Sequence, residues 1–100
     1  MSQARRPLMP ATVAMRSAAD GGRKTAAGLN GEYHPHLRVR GHEALLGVTF
    51  HSDASDLIHP GERTTVVLVP LYEIDYSALR PGVEFDVLEG PQVVGTGTVE

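Results

Sequence analysis

Glycine and proline cut this chain into short runs, and no run between them is long enough or periodic enough to be a helix. The 11 glycines and 7 prolines fall at nearly even spacing, and the segments between them have strand character. Tyr33–Arg40 has the cleanest period of two. Tyr33, Pro35, Leu37 and Val39 point one way, and His34, His36, Arg38 and Arg40 the other. Ala11–Ser17 alternates more weakly. Leu46, Val48 and Phe50 share a face of Ala44–Phe50. Thr64–Val69 is strongly β-branched and reads as a central strand, which Leu71–Tyr76 continues after Pro70.

His59-Pro60-Gly61-Glu62 reads as a type II turn, because glycine accepts the positive φ that this turn requires. Val83–Leu88 and Gln92–Val99 form a hairpin across Glu89-Gly90-Pro91. Gly95 and Gly97 in its second strand imply curvature or close backbone approach. The stretch from Ala18 to Glu32 reads as a structureless loop. Six or so short strands with Gly/Pro turns imply an all-β barrel or sandwich, and closure is favoured because it removes edges that β-branched runs would expose. The predicted core is Val13, Met15, Leu37, Val39, Leu46, Val48, Phe50, Val66, Leu68, Phe85, Val87, Val94 and Val99. Residues 1–8 are expected to be a flexible tail and residues 9–100 the barrel.

The chain has 100 residues, 41% of them apolar and 21% charged, enough for one core. It contains no cysteine, which excludes disulfides, thiolate catalysis and cysteine-ligated metals. No apolar run has the length of a membrane-spanning helix or a signal-peptide core, so a cytoplasmic location is expected. The net charge of −3 is uneven. Residues 1–42 carry seven basic side chains against Asp20 and Glu32, whereas residues 43–100 carry Arg63 and Arg80 against ten acids. The two halves either complement each other in one fold or present a basic face to an anionic partner.

Most chemical motifs fail on inspection. Gly21-Gly22-Arg23-Lys24-Thr25 lacks the glycine before lysine and the earlier glycine of a phosphate-binding loop; Ala18 stands there instead. His34 and His36 share a strand face, as pairs of metal ligands do, but His42, Glu43, His51 and His59 fall in no recognised ligand spacing. Ser52, Ser55, Asp53 and His51 crowd one loop without implying a triad. No catalytic activity, cofactor or metal is therefore expected. The positive signal is the row His34, His36, Arg38 and Arg40, which repeats about every 6.7 Å along one strand face. Phosphates along a nucleic-acid strand recur at a similar distance, and arginine suits them. Arg23 and Lys24 would extend the patch; the plainer alternative is a solvated strand face.

Five ordered pieces resemble one family. They are Ala11–Ser17 with Asp20-Gly21-Gly22-Arg23-Lys24-Thr25; Asn30–Arg40 with its Tyr33-His34-Pro35-His36; Leu57-Ile58-His59-Pro60-Gly61-Glu62; Val83–Gly90; and Val94-Gly95-Thr96-Gly97-Thr98-Val99. Together they resemble the C-terminal β-barrel, or third domain, of bacterial elongation factor Tu. The resemblance implies a six-stranded antiparallel barrel without chemistry of its own. That family domain contacts the T-arm backbone of aminoacyl-tRNA, packs on the nucleotide-binding domain and meets the exchange factor.

Carried over by position, the resemblance makes Arg23, Lys24, Tyr33, His34, His36, Arg38 and Arg40 the candidate RNA contacts. His34 stands where the family usually has Arg, His36 where it has Gln, and Leu37 and Val39 where it has Phe. No GTP-binding segment precedes the barrel within these 100 residues, so GTPase activity is not expected of the chain. The expected partner is tRNA or another RNA. The alternative is a protein, such as a separate GTPase domain, with neither membrane nor DNA involved.

Overall fold

Eight strands run along the described residues: β1 (Met9–Met15), β2 (Ala27–Gly28), β3 (His36–Val39), β4 (Leu46–His51), β5 (Leu57–Ile58), β6 (Arg63–Pro70), β7 (Glu84–Glu89) and β8 (Gln92–Val99). The computed structural model describes residues 9–100, so the tail expected over residues 1–8 lies outside the described residues. Six strands close into an antiparallel barrel in the order β1-β6-β4-β3-β7-β8. Closure falls on β1, where Val13 pairs with Thr64 of β6 on one side and Gly97 of β8 on the other.

The period-two runs are the strands because closure leaves each with one face inside. In β1, Met9, Ala11, Val13 and Met15 are buried while the residues between them reach the surface. All the predicted core residues are buried, joined by Met9, Ala11, Ala27, Leu29, Ile58, Leu79 and Leu88. A β-bulge between Val87 and Leu88 breaks the alternation of β7 and buries both side chains. Gly97 explains itself sterically: a Cβ there would strike the Phe85 ring and lie 2.7 Å from the Thr12 carbonyl oxygen. The Pro60-Gly61 turn is as expected, with Gly61 at φ 83° and the Glu62 N–H donating to the His59 carbonyl at 3.0 Å.

Two sequence expectations are corrected. The stretch 18–32 is not structureless. Ser17 caps a 3₁₀ turn at Ala18–Asp20, β2 pairs with β5, and Ala27 and Leu29 are buried. A two-residue ribbon is too short to show a period, so its pattern is silent in the sequence. Nor does Leu71–Tyr76 extend the strand. Strand β6 ends at Pro70, and the chain then leaves as a loop to Val83. The Leu71 N–H still reaches the Gly47 carbonyl, but the Tyr76 hydroxyl accepts the Tyr72 N–H at 3.1 Å and shares that of Leu71, so the ladder stops there.

Candidate functional site

The basic row does form on the outside of β3, but it is not bare. Strand β3 lies against β7 with Arg38 opposite Asp86. The Arg38 guanidinium is 3.8 Å from the Asp86 carboxylate. Arg40 donates to Glu84 at 2.8 Å and approaches Asp86 at 3.9 Å. Two arginines thus face two carboxylates. His36 sits in the same row, opposite Gly47 of β4 and Leu88 of β7. His34 precedes the strand, is exposed, and holds the Gly31 carbonyl with Nε2 at 3.0 Å.

Arg23 is a strut. The glycines before it shape the loop: Gly21 takes φ 91° as the cap of the 3₁₀ turn, and a Cβ on Gly22 would collide with the Arg16 and Ser17 carbonyls. Arg23 then reaches inward. It pairs with Glu89, donates through Nε to the Thr25 carbonyl at 3.2 Å, and bonds Thr25 Oγ1 at 3.3 Å. Its guanidinium lies 4.7 Å above the centroid of the Tyr33 ring, a cation–π contact. Tyr33 donates its hydroxyl to the same Glu89 carboxylate at 2.5 Å and packs edge-on against Phe50, 5.7 Å between centroids.

Burial, then the bond to Glu89 and that carboxylate's charge, hold the Tyr33 hydroxyl well above its ordinary pKa, against the opposing charge of Arg23. Burial opposes the charged form of Arg23, but Glu89 outweighs it, so the guanidinium is held above its ordinary value. Lys24, beside this knot, is exposed and has no side-chain hydrogen bond or ion pair among the described residues.

A second surface lies on the loop between β6 and β7. Gly47 of β4 faces outward, and the Tyr72 ring lies directly on it. The Tyr76 hydroxyl donates to the Gly47 carbonyl at 2.5 Å, and the Leu71 N–H donates to the same oxygen at 3.1 Å. Tyr76 therefore clamps the loop onto the barrel wall. The clamp leaves Tyr72 and Ile74 each 49% exposed, and Leu45, two residues before Gly47, 48% exposed. Large apolar side chains held at half exposure on a fixed loop are the informative kind of exposed hydrophobe.

A groove of about 430 Å³ runs beside this loop. Buried Met9, Pro70 and Leu79 line it, together with Tyr72, Ile74 and Tyr76. Glu73 and Asp75 stand among its exposed lining. On the loop's other side a cleft of about 580 Å³ is lined by Val39, His42, Leu46, Ser77, Arg80 and Val83 among others.

Comparison with protein-family models and with curated proteins finds no significant match for this chain.

Other chemistry is sparse. Thr49 Oγ1 lies 2.9 Å from His51 Nε2, but Thr49 is buried and, among the described residues, no carboxylate bonds that imidazole. Among the described residues, no group of three His, Asp or Glu side chains is placed to hold a metal ion. His59 is bonded to Glu62 at 3.0 Å within its own turn.

The sequence reading brought Arg23, Lys24, Tyr33, His34, His36, Arg38 and Arg40 together as one patch. In the fold, Arg23 and Tyr33 belong to the Glu89 knot, His36, Arg38 and Arg40 to the β3 row, and His34 and Lys24 to separate loops. The reading missed Leu45, Tyr72, Ile74 and Tyr76. The signal for Tyr72 and Ile74 was the alternation Tyr72-Glu73-Ile74-Asp75 shortly after Pro70, apolar and acidic residues in turn where a central strand would not carry them.

Proposed function

We propose that this barrel is a non-catalytic protein-binding module whose contact surface is the loop between β6 and β7. The observation that carries this is the exposure of Tyr72 and Ile74 on a loop that Tyr76 fixes to the wall, beside a groove with a buried apolar floor. A preorganised apolar surface loses little conformational freedom on binding, which favours recognition of a protein partner. The likeness to the third domain of elongation factor Tu supports the same reading, since that domain works by contact and not by chemistry.

Electrostatics argues against the RNA reading. Phosphate binding draws its affinity from displaced counterions and therefore needs uncompensated positive charge. On the β3–β7 face Arg38 and Arg40 meet Asp86 and Glu84, and at the loop Glu89 offsets Arg23. Of the candidate residues, Lys24, His34 and His36 are left without an ion pair among the described residues, in a chain of net charge −3. These exposed ion pairs are individually weak, but they cancel the field that would steer a polyanion.

Site-specific photo-crosslinking in cells tests the proposal. A benzophenone amino acid at position 74 is expected to capture a discrete protein, and the same group at position 40 is not. RNA captured from position 40, with nothing from position 74, would return the RNA reading to first place.

A further inference from the structure

We propose that the cleft on the other side of this loop binds a free apolar α-amino acid, with its zwitterion between Asp75 and Arg80 and its side chain on Val39 and Leu46. The inference goes beyond the protein-binding reading and does not depend on it.

The cleft lies where two barrel strands part. The β3–β4 ladder consists of His36–Gly47 and Leu37–Leu46 alone, so the strands separate beyond Leu37. The chain between them turns at Gly41, φ 87°, and the His42 N–H closes that turn on the Val39 carbonyl at 2.9 Å. The end of the β6–β7 loop forms the opposite wall. Its backbone is tied down: the Leu79 N–H donates to the Tyr76 carbonyl at 3.0 Å and the Val83 N–H to the Arg80 carbonyl at 3.1 Å. The Gly82 N–H reaches the Val99 carbonyl at 2.7 Å. Walls held in this way need little ordering when a ligand enters. The volume of about 580 Å³ falls within the roughly 300–1,000 Å³ of small-molecule sites.

The floor is apolar. Val39 and Leu46 are buried there, and Ala78 and Val83 are half-buried. Two opposite charges line the same cleft without meeting. Arg23, Arg38 and Arg40 each pair with a carboxylate of β7, whereas Arg80 pairs with none among the described residues. Asp75 accepts the Ser77 backbone N–H at 2.8 Å, a bond that holds its carboxyl below the ordinary range and keeps it ionised at neutral pH. Among the described residues, no cation pairs with it. His42 is the remaining titratable group of the lining.

That charge pattern selects the ligand. Asp75 repels a simple anion and Arg80 a simple cation, so a neutral molecule that carries both charges suits the cleft best. An α-amino acid carries them on one carbon and sends its side chain in a third direction. The guanidinium takes the carboxylate through paired N–H donors, and Asp75 accepts from the ammonium. An aliphatic or aromatic side chain then covers Val39 and Leu46 and leaves water behind.

The test is an NMR titration of the isotope-labelled full chain with L-phenylalanine, which should give saturable shifts around Val39, Leu46 and Val83. L-phenylalaninamide lacks the carboxylate and N-acetyl-L-phenylalanine lacks the ammonium. Each should bind about fivefold more weakly, the size of one partly exposed charge pair. Glycine has both charges and no side chain, and should leave the spectrum unchanged. Arg80→Gln should weaken L-phenylalanine about fivefold and erase its advantage over the amide; Asp75→Asn should do the same against the N-acetyl compound. Both side chains are exposed, so the variants keep the barrel, which circular dichroism checks.

No saturable change with L-phenylalanine, equal binding of the three compounds, or shifts that cluster away from the cleft overturn the proposal. Binding that ignores both substitutions does so too. None of these outcomes bears on crosslinking from position 74, so the protein-binding reading is judged separately.

Discussion

The Tyr72 ring occupies the space that a side chain at position 47 would fill: a Cβ built on Gly47 would lie 2.8 Å from Tyr72 Cδ2, and nearer still to Cε2. Glycine at this outward position is what allows the loop to lie flat on β4. Gly47→Ala is therefore expected to push the ring away at little thermodynamic cost, since an exposed tyrosine turns easily. Urea titration should show a loss of about 1 kcal/mol or less. Crosslinking from position 74 should drop sharply in the same protein, separating binding from folding.

Tyr76→Phe removes the clamp without altering ring packing. The Leu71 and Tyr72 amides lose a hydroxyl acceptor and the Gly47 carbonyl loses a donor. The expected cost is about 1–3 kcal/mol. Hydrogen exchange should quicken at Tyr72 well before it quickens in β6.

Phe85 and Gly97 interlock across the β7–β8 pair. Phe85→Ala should cost ~3–5 kcal/mol, a large part of the ~5–15 kcal/mol that a domain of this size possesses. Gly97→Ala overpacks the same place, and its cost of ~1–3 kcal/mol should be only partly relieved by Phe85→Leu, because the Thr12 carbonyl still blocks the new methyl. Denaturant unfolding of the three variants checks the pair.

The Tyr33–Glu89–Arg23 knot makes an alkaline prediction. The folded chain holds the Tyr33 proton above the ordinary value of 10.0, so the folded state binds more protons than the unfolded one once pH passes that value. The stability due to this group is whole below about pH 10 and declines as pH rises toward the folded pKa. Tyr33→Phe should flatten that decline. Stability curves between pH 9 and 12 that were the same for both proteins would contradict the assignment.

Baring the basic row should create what the native row lacks. Glu84→Gln with Asp86→Asn leaves Arg38 and Arg40 unopposed. The double variant is expected to bind tRNA with log K falling by about 0.7–0.9 per log unit of salt for each phosphate neutralised, and the native protein to bind far less at about 50 mM salt. Filter binding at two salt concentrations decides it.

The fold was legible where side chains alternate. Within Tyr33–Arg40 the strand itself covers only His36–Val39, where Leu37 and Val39 declared the inner face, and Leu46, Val48 and Phe50 did so for β4, because one side of each barrel strand must be apolar. The β2–β5 ribbon was not legible, since two residues carry no period. Nor was the site. Nothing near Arg38 in sequence says that Asp86 will lie opposite it; that pairing is set by the strand order of the closed barrel. The loop after Pro70 misled for a related reason. Leu71, Tyr72 and Ile74 have strand-forming side chains, and only the bonds that Tyr76 makes to the backbone reveal that they leave the sheet.

Because β1 is the seam, the first barrel strand to be synthesised is completed by the last. Ala11 pairs with Val99, and Thr12 Oγ1 reaches the Glu100 carboxylate, across a separation of 88 residues. During translation β1 must wait, with one flank unmatched, until Gln92–Val99 has left the ribosome. Contacts of such long range slow folding to about milliseconds to seconds. A nascent chain stalled before β8 would offer the open flank of β1 to any passing strand, which makes that interval the period in its life when a chaperone matters most.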